Sequence, residues 1–391
     1  MGAIIARRGA PLAAPTLGFD VRHTGRPRWL YGVGSIAMGK AIVTRTRDPQ
    51  GRWVLHDAAK AGPHDPVTET PDRRPGSVRR TSTIDTRWPE GLLGPRLMDG
   101  RARDLRTGPD GRVDVLGEAR VDVRASAGRL LETIETDPPR PELQQLAGVL
   151  VGPGFRAQME QLVPDERDGL TLLHLLLDDL PGASLVSGYV HQRSDGPRPE
   201  RIDDGIERED LCAGWAREAT MMTTIRVTGE HPVVLGPVAP SIERDDDPWA
   251  WHAMDPLPPV SMRRRRRIDV VAPEDGDVGA PHRIDVHFRD SHVAEDGQET
   301  IVHEYRVTGT VDAATATIVE MTARAHVLPW VECPRAVGSA GRLAGLPLRG
   351  LRPLVRETFV GTTTCTHLND TLRGLADVEA MLGHLRSVSR S

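Results

Sequence analysis

Two stretches of the chain carry the same pattern: short alternations of apolar and polar residues broken by turn sequences, then segments with helical spacing. In the second stretch the alternation predicts strands at Ile268–Val271, Arg283–His292, Ile301–Val311 and Thr317–Val327. Helices are expected after them at Leu351–Phe359 and Thr366–His384, and in the first stretch at Phe155–Leu162 and Leu170–Leu180. Each half thus reads as an antiparallel β-meander of about four strands followed by helices, an α+β order. Nearer the N-terminus, Ala41–Thr46 and Trp53–His56, joined by Asp-Pro-Gln-Gly, read as a hairpin. Ala61–Gly76 contains Pro63, Pro66, Pro71 and Pro75 and reads as a linker. Between the halves, Ser194–Arg208 has the composition of a surface loop, Glu209–Ala219 of a short helix, and Asp245–Pro248 of a turn anchored by Trp249 and Trp251.

The halves also share residues in the same order. Ser77–Asp85 (S-V-R-R-T-S-T-I-D) matches Ser261–Asp269 (S-M-R-R-R-R-R-I-D), and Arg103–Asp104 matches Arg289–Asp290. Glu118-x-Arg120-Val121 matches Glu304-x-Arg306-Val307, Leu131–Glu132 matches Val319–Glu320, and Leu146–Gly148 matches Leu343–Gly345. His174 falls against His367, and the offset drifts only from 184 to 197 residues. A period this long implies duplicated halves rather than a solenoid. The expected organisation is an N-terminal hairpin and linker (1–75), a diverged first repeat (76–195), a connector packing on both halves (196–260) and a second repeat with the candidate site (261–391).

Composition narrows the functional classes. The 391 residues are 38% hydrophobic and 27% charged, with a net charge of −5, so no global positive field draws nucleic acid. No apolar run reaches the ~20 residues of a membrane helix, the M-G-A-I-I-A-R-R start has too short an apolar stretch for a secretory signal, and Ala6 breaks a myristoylation pattern. Cys212, Cys333 and Cys365 make no disulfide framework, which fits a reducing compartment and a cytoplasmic protein. Gly32–Lys40 lacks the spacing of a phosphate loop and Gly152–Phe155 is no dinucleotide fingerprint, so the cofactor stays unknown. The expected partner is a small-molecule ligand, with neither nucleic acid nor membrane.

The reactive side chains concentrate in Thr362–Leu375, T-T-T-C-T-H-L-N-D-T-L-R-G-L. Leu368, Leu372 and Leu375 share a helical face, and Thr362–Thr364 offer capping hydroxyls. Cys365 and His367 fall at the helix start, where unpaired N–H groups and the macrodipole favour a thiolate. Asn369 follows Cys365 by four residues and Asp370 follows His367 by three, so each pair can meet. Strand parity places Ile284, Val286, Phe288, Asp290 and His292 on one face, and Ile301, His303, Tyr305 and Val307 on one face. A hairpin turning at Ala294–Gly297 then gathers Asp290, His292 and His303 for metal binding or acid–base work; a slip of parity at the hairpin end would instead turn them to water. Glu304, Arg306, Glu320, Arg324 and His326 are expected on the opposite, solvated face. Cys333 with Cys365 and His367 suggests a soft metal site or a nucleophilic pair, without CxxC or zinc-finger spacing. His174, inside a leucine run, reads as a core histidine bonded to backbone, and Arg263–Arg267 as a solvated strand edge or an anion contact.

Leu328–Pro334 (L-P-W-V-E-C-P), Arg342–Leu346 (R-L-A-G-L) and Cys365–Leu368 (C-T-H-L) resemble the bacterial domain of unknown function family numbered 2889. The resemblance spans roughly Met262–His384, with Thr364 where the family often has Gly; the first half resembles a decayed copy. It implies Cys333, Cys365 and His367 as the site and supplies no activity. The expectation is an enzyme of hydrolase or lyase/isomerase type acting on a small acyl- or carbonyl-type metabolite. Asp290, His292 and His303 would transfer protons, and Cys365 and His367 would serve as nucleophile or metal ligands. The alternatives are a non-catalytic module clasping an apolar ligand, and a Cys/His metal-site protein.

Overall fold

A computed structural model describes residues 45–47, 53–55, 59–194, 208–228, 231–274 and 279–386. Every described residue lies in one compact unit, Val43–Ser391. Strand β1 (Arg45–Arg47) pairs antiparallel with β2 (Trp53–Leu55), so a hairpin forms where one is expected. Ala41–Thr44 and His56 of that expectation lie outside the described residues.

Then come β3 (Ser77–Arg87), β4 (Arg96–Thr107), β5 (Val113–Ala125) and β6 (Leu131–Asp137). Helices α1 (Phe155–Leu162), α2 (Pro164–Gly169), α3 (Leu172–Val186), α4 (Gly188–Arg193) and α5 (Thr220–Thr228) follow. The second series is β7 (Ser261–Val271), β8 (His282–Val293), β9 (Glu299–Asp312) and β10 (Thr317–Val327). It ends in α6 (Leu351–Thr358), α7 (Thr366–Gly374) and α8 (Val378–Arg386). The result is a mixed α/β fold with one eight-stranded antiparallel sheet and, among the described residues, eight α-helices. The continuous helix expected over Thr366–His384 is broken by a 3-10 turn at Leu375–Asp377, and Glu209–Ala219 holds only a 3-10 turn at Ala213–Trp215 before α5. No helix of the described residues is long and apolar enough to cross a membrane.

The strand order is β10-β9-β8-β7-β3-β4-β5-β6, so two meanders meet where β3 pairs with β7, from Ser77 opposite Val271 to Arg87 opposite Ser261. One face is covered by helices. Ile84, Met98, Val121 and Val123 pack against Leu173, Leu176, Leu177 and Leu180 of α3. Ile268, Val286, Phe288 and Tyr305 pack with Leu368, Leu372 and Leu375. Helix α3 starts where Thr171 accepts a hydrogen bond from the His174 N–H, at 3.1 Å.

The other face is covered by irregular chain. The segment expected as a linker is a strap: Val67 N–H donates to Glu304 Oε2 at 2.8 Å, and Thr70 Oγ1 donates to Ile242 O at 2.6 Å. Trp251 Nε1 donates back to Thr70 Oγ1 at 2.9 Å, so this tryptophan anchors the strap, whereas Trp249 is exposed. Because both faces are covered, the five arginines of β7 are all buried, none more than 5% exposed, which overturns the solvated-edge expectation. Strand parity splits them. Arg263, Arg265 and Arg267 face the strap side and pair with Asp85 (2.6 Å), Glu243 (3.4 Å) and Asp269 (3.0 Å). Arg264 and Arg266 face the helices. Burial of five guanidiniums is tolerable only because each meets a carboxylate. Glu304 also departs from the expected solvated face: it is fully buried, taking hydrogen bonds from Arg289 (2.6 Å) and Val67, with His287 Nε2 2.7 Å away. Arg306, Glu320 and Arg324 on that face are exposed, as expected, but His326 is buried, its Nδ1 2.9 Å from the Asp65 carbonyl.

Candidate functional site: a carboxylate and two imidazoles

Asp290 on β8 stands opposite His303 on β9, and its Oδ2 lies 3.6 Å from His303 Nδ1. His367, in the first turn of α7, lays its ring on that of His303, centroids 3.6 Å apart and planes inclined by 19°. Among the described residues, Asp290, His303 and His367 are the one set of three or more His, Cys, Asp or Glu side chains whose ligand atoms all lie within 4.8 Å of one another. Asp290 is fully buried, His303 nearly so, and His367 half-buried.

Arg264 fixes the carboxylate. Its Nε and Nη2 donate to Asp290 Oδ1 and Oδ2 at 2.8 and 3.2 Å, while Nη1 donates to Asp370 Oδ2 at 2.9 Å. Arg266 donates to Asp179 of α3 at 2.9 Å and to the Asp370 carbonyl at 3.1 Å. Burial alone raises the Asp290 carboxyl, but Arg264 and the His303 contact outweigh it and hold the group well below the usual carboxylate range. His367 is pushed down to about 3, first by burial, then by His303 and Arg264. Both groups are therefore in their ligand-competent forms at neutral pH: an ionised carboxylate and a neutral imidazole. His303 Nδ1 is buried without a hydrogen-bond partner.

The expected site residues divide. Asp290, His303 and His367 converge. His292 does not: it sits opposite Met262 of β7, and its ring packs edge-on against Tyr189 at 5.4 Å. The parity expectation holds up to Asp290 and then meets a bulge, because Ser291 stands opposite Ile301 and Val302 is left between. Val302 thereby joins Trp88, Val186, Val190 and Met262, and the face expected to be shared by Ile301 and His303 is broken.

Cys365 is the N-cap residue of α7, with its Sγ 3.8 Å from His367 Nδ1, but it makes no side-chain cap hydrogen bond. The expected thiolate is not favoured, since burial raises the Cys365 thiol above its usual range despite the helix start. Thr364 donates its hydroxyl to Gly361 O at 2.9 Å instead of capping the helix. Asn369 Nδ2 donates to Phe359 O at 2.7 Å, so it is not paired with Cys365, and Asp370 is taken by Arg264 and Arg373. Cys333 is outside the ligand set, and the soft site of Cys333, Cys365 and His367 does not form. All three cysteines are free and buried; burial, then Cys365, lifts the Cys212 thiol to about 12, and Cys333 is raised in the same way. His174 of α3 has Nε2 3.9 Å from Glu160, so it faces a carboxylate rather than backbone. Arg264 and Asp179 were not singled out from sequence; adjacent carboxylates at Asp178–Asp179 inside a leucine-rich helix are the signal that buried cations must exist elsewhere.

Residues 262–381 match the family model described as "Protein of unknown function (DUF2889)". The matched C-terminal region, from β7 into α8, is similar to this family, and it contains Asp290, His303 and His367. No curated protein and no solved structure matches the chain.

Proposed function

We propose that Asp290, His303 and His367 bind a divalent transition-metal ion, and that the protein is a metal-dependent enzyme acting on a small acyl- or carbonyl-type metabolite. The observation that carries this reading is the convergence of one ionised carboxylate and two imidazoles, with the buried His303 Nδ1 turned toward Asp290 Oδ2. A tetrahedral ion with bonds of about 2.1 Å spaces its ligand atoms by about 3.4 Å, close to the 3.6 Å between Asp290 Oδ2 and His303 Nδ1. Three protein ligands leave a position for water or a substrate carbonyl, which the ion would polarise as a Lewis acid. Arg264 would orient the carboxylate from behind. The juxtaposition of Asp290 and His303 weighs against a purely apolar clasp. Free cysteines support a reducing, cytoplasmic setting.

The test is loading of metal-stripped protein with Co²⁺, followed by absorption and calorimetry. One equivalent should bind, giving a ligand-field spectrum without a thiolate charge-transfer band. Cys365→Ser should bind as the parent does; His303→Ala and His367→Ala should each weaken binding about tenfold or more. Binding that survives both histidine changes, or a thiolate band lost in Cys365→Ser, would sink the reading.

We further infer that the sheet arose by duplication. In both meanders an arginine holds an aspartate bidentately across neighbouring strands, Arg80 with Asp104 at 2.8 and 2.7 Å and Arg264 with Asp290. A register shift follows each aspartate, and Gly117 stands opposite Asp104 as His303 stands opposite Asp290.

A further inference from the structure

On the strap side of the sheet, away from the metal cluster, lies a groove of about 480 Å³ lined by Arg103, Trp249, Ala250, His252, Ala253 and Met254 among others. Arg103 is its unusual member. It stands opposite Glu118 across β4 and β5, as Arg289 stands opposite Glu304 across β8 and β9. Arg289 is fully engaged: it donates to Glu304 at 2.6 Å and to the carbonyls of Pro240 and Val67 at 2.8 and 2.6 Å. Arg103 is not. Glu118 is exposed, and among the described residues no ion pair reaches Arg103. The residue is 6% exposed, its Nε is buried without a hydrogen-bond partner, and its one hydrogen bond goes from Nη2 to Trp249 O at 2.9 Å. A guanidinium buried at this depth with donors unused leaves a desolvation cost that a bound anion would offset.

The surroundings agree. Of the charged groups along the groove, Asp247 is held bidentately by Arg73 at 2.8 and 2.9 Å, Glu243 faces Arg265 at 3.4 Å, and Arg244 is taken by Asp246 at 2.6 Å. The His252 imidazole is pushed down to about 3 by burial and then by Arg103, Arg263, Arg101 and Arg265, which reports a positive local field. Its ring nitrogens are spent on Thr81 and Thr83, both at 2.9 Å. The Arg103 guanidinium lies 5.6 Å from the Trp249 ring centroid, and Trp249 keeps 41% of its surface exposed, offering a flat apolar face beside the cation.

We propose that this groove binds a small, flat organic oxyanion, with its carboxylate or phosphate on Arg103 and its planar body against Trp249. The site is independent of the metal reading. Calorimetric titration of the full chain with benzoate, phenyl phosphate and neutral benzamide tests it. Saturable binding of at least one anion is expected, with benzamide weaker by about tenfold or more; the tighter anion tells carboxylate from phosphate. Arg103→Gln should weaken binding about tenfold or more, Arg103→Lys less, because the charge survives but the fork does not. Trp249→Leu, at an exposed position, keeps the fold and should weaken all anions together, so the test stands even if Arg103→Gln fails to fold. The proposal is overturned if neither anion binds, if benzamide binds as tightly as benzoate, or if folded Arg103→Gln or Trp249→Leu binds as the parent does.

Discussion

His252, His287 and His367 are each pushed below their usual 6.5 by burial, to about 3, 4 and 3. Their folded forms stay neutral in a range where the unfolded chain is protonated. The unfolded state then binds more protons, so stability is whole above about pH 6.5 and falls as pH drops from there toward 4. Each such histidine contributes a slope of about 1.4 kcal/mol per pH unit within the window, so the three together approach about 4 kcal/mol per unit. Asp179, raised mainly by burial, opposes this by one proton at most. Denaturant melts at pH 7.5, 6 and 5 should show stability dropping by several kcal/mol, and His252→Asn should remove about one proton from the slope. A flat profile between pH 6.5 and 5 would show that these imidazoles take up protons in the folded state. At this scale the sequence was partly legible: Asp290 and His303 follow from strand parity and His367 from its place in T-C-T-H-L. Arg264 was hidden, because five consecutive arginines look alike until a sheet assigns alternate ones to opposite faces.

At the scale of elements, α3 packs against the ion pair behind the site. A Cβ added to Gly182 would fall 2.5 Å from Asp370 Oδ2 and closer still to Arg264 Nη1. Two effects compete in Gly182→Ala. Helix propensity favours alanine by about 1 kcal/mol, whereas overpacking against a fixed ion pair costs about 1–3 kcal/mol or more. The buried partners are held by bidentate hydrogen bonds and have no solvent to retreat into, so packing should win. Gly182→Ala should therefore lower the melting temperature and weaken metal binding through displacement of Arg264. A rise in melting temperature with metal affinity unchanged would mean that the ion pair yields freely. Strands and most helices were legible because alternation and helical spacing are local. The bulge at Val302 was not, since nothing local marks the residue at which two positions face one. The stretch 61–76, read as a linker, packs on the sheet through Val67 and on Ile242 through Thr70, because prolines exclude regular structure without excluding such contacts.

For the molecule as a whole, the pairing of β3 with β7 was beyond local pattern: alternation tells which residues face a core, not which strands adjoin. That pairing makes one sheet of two meanders and lets each aspartate be compared with its counterpart. Asp104 is already held by Arg80, and His384 Nε2 lies 3.7 Å from Asp104 Oδ2. What the first meander lacks is an imidazole opposite the aspartate, where Gly117 stands. A Cβ there would meet only Leu172 Cδ1, at an ordinary 3.7 Å, so a side chain has room to enter. If the two meanders are geometrically equivalent, Gly117→His should complete a second carboxylate and two-imidazole set with Asp104 and His384. Metal stoichiometry should then rise from one to two per chain, and adding His384→Ala should return it to one. A stoichiometry that stays at one, in a protein that folds normally, would mean that the equivalence stops at the arginine–aspartate pairs and that α8 does not bring His384 to the angle His367 occupies.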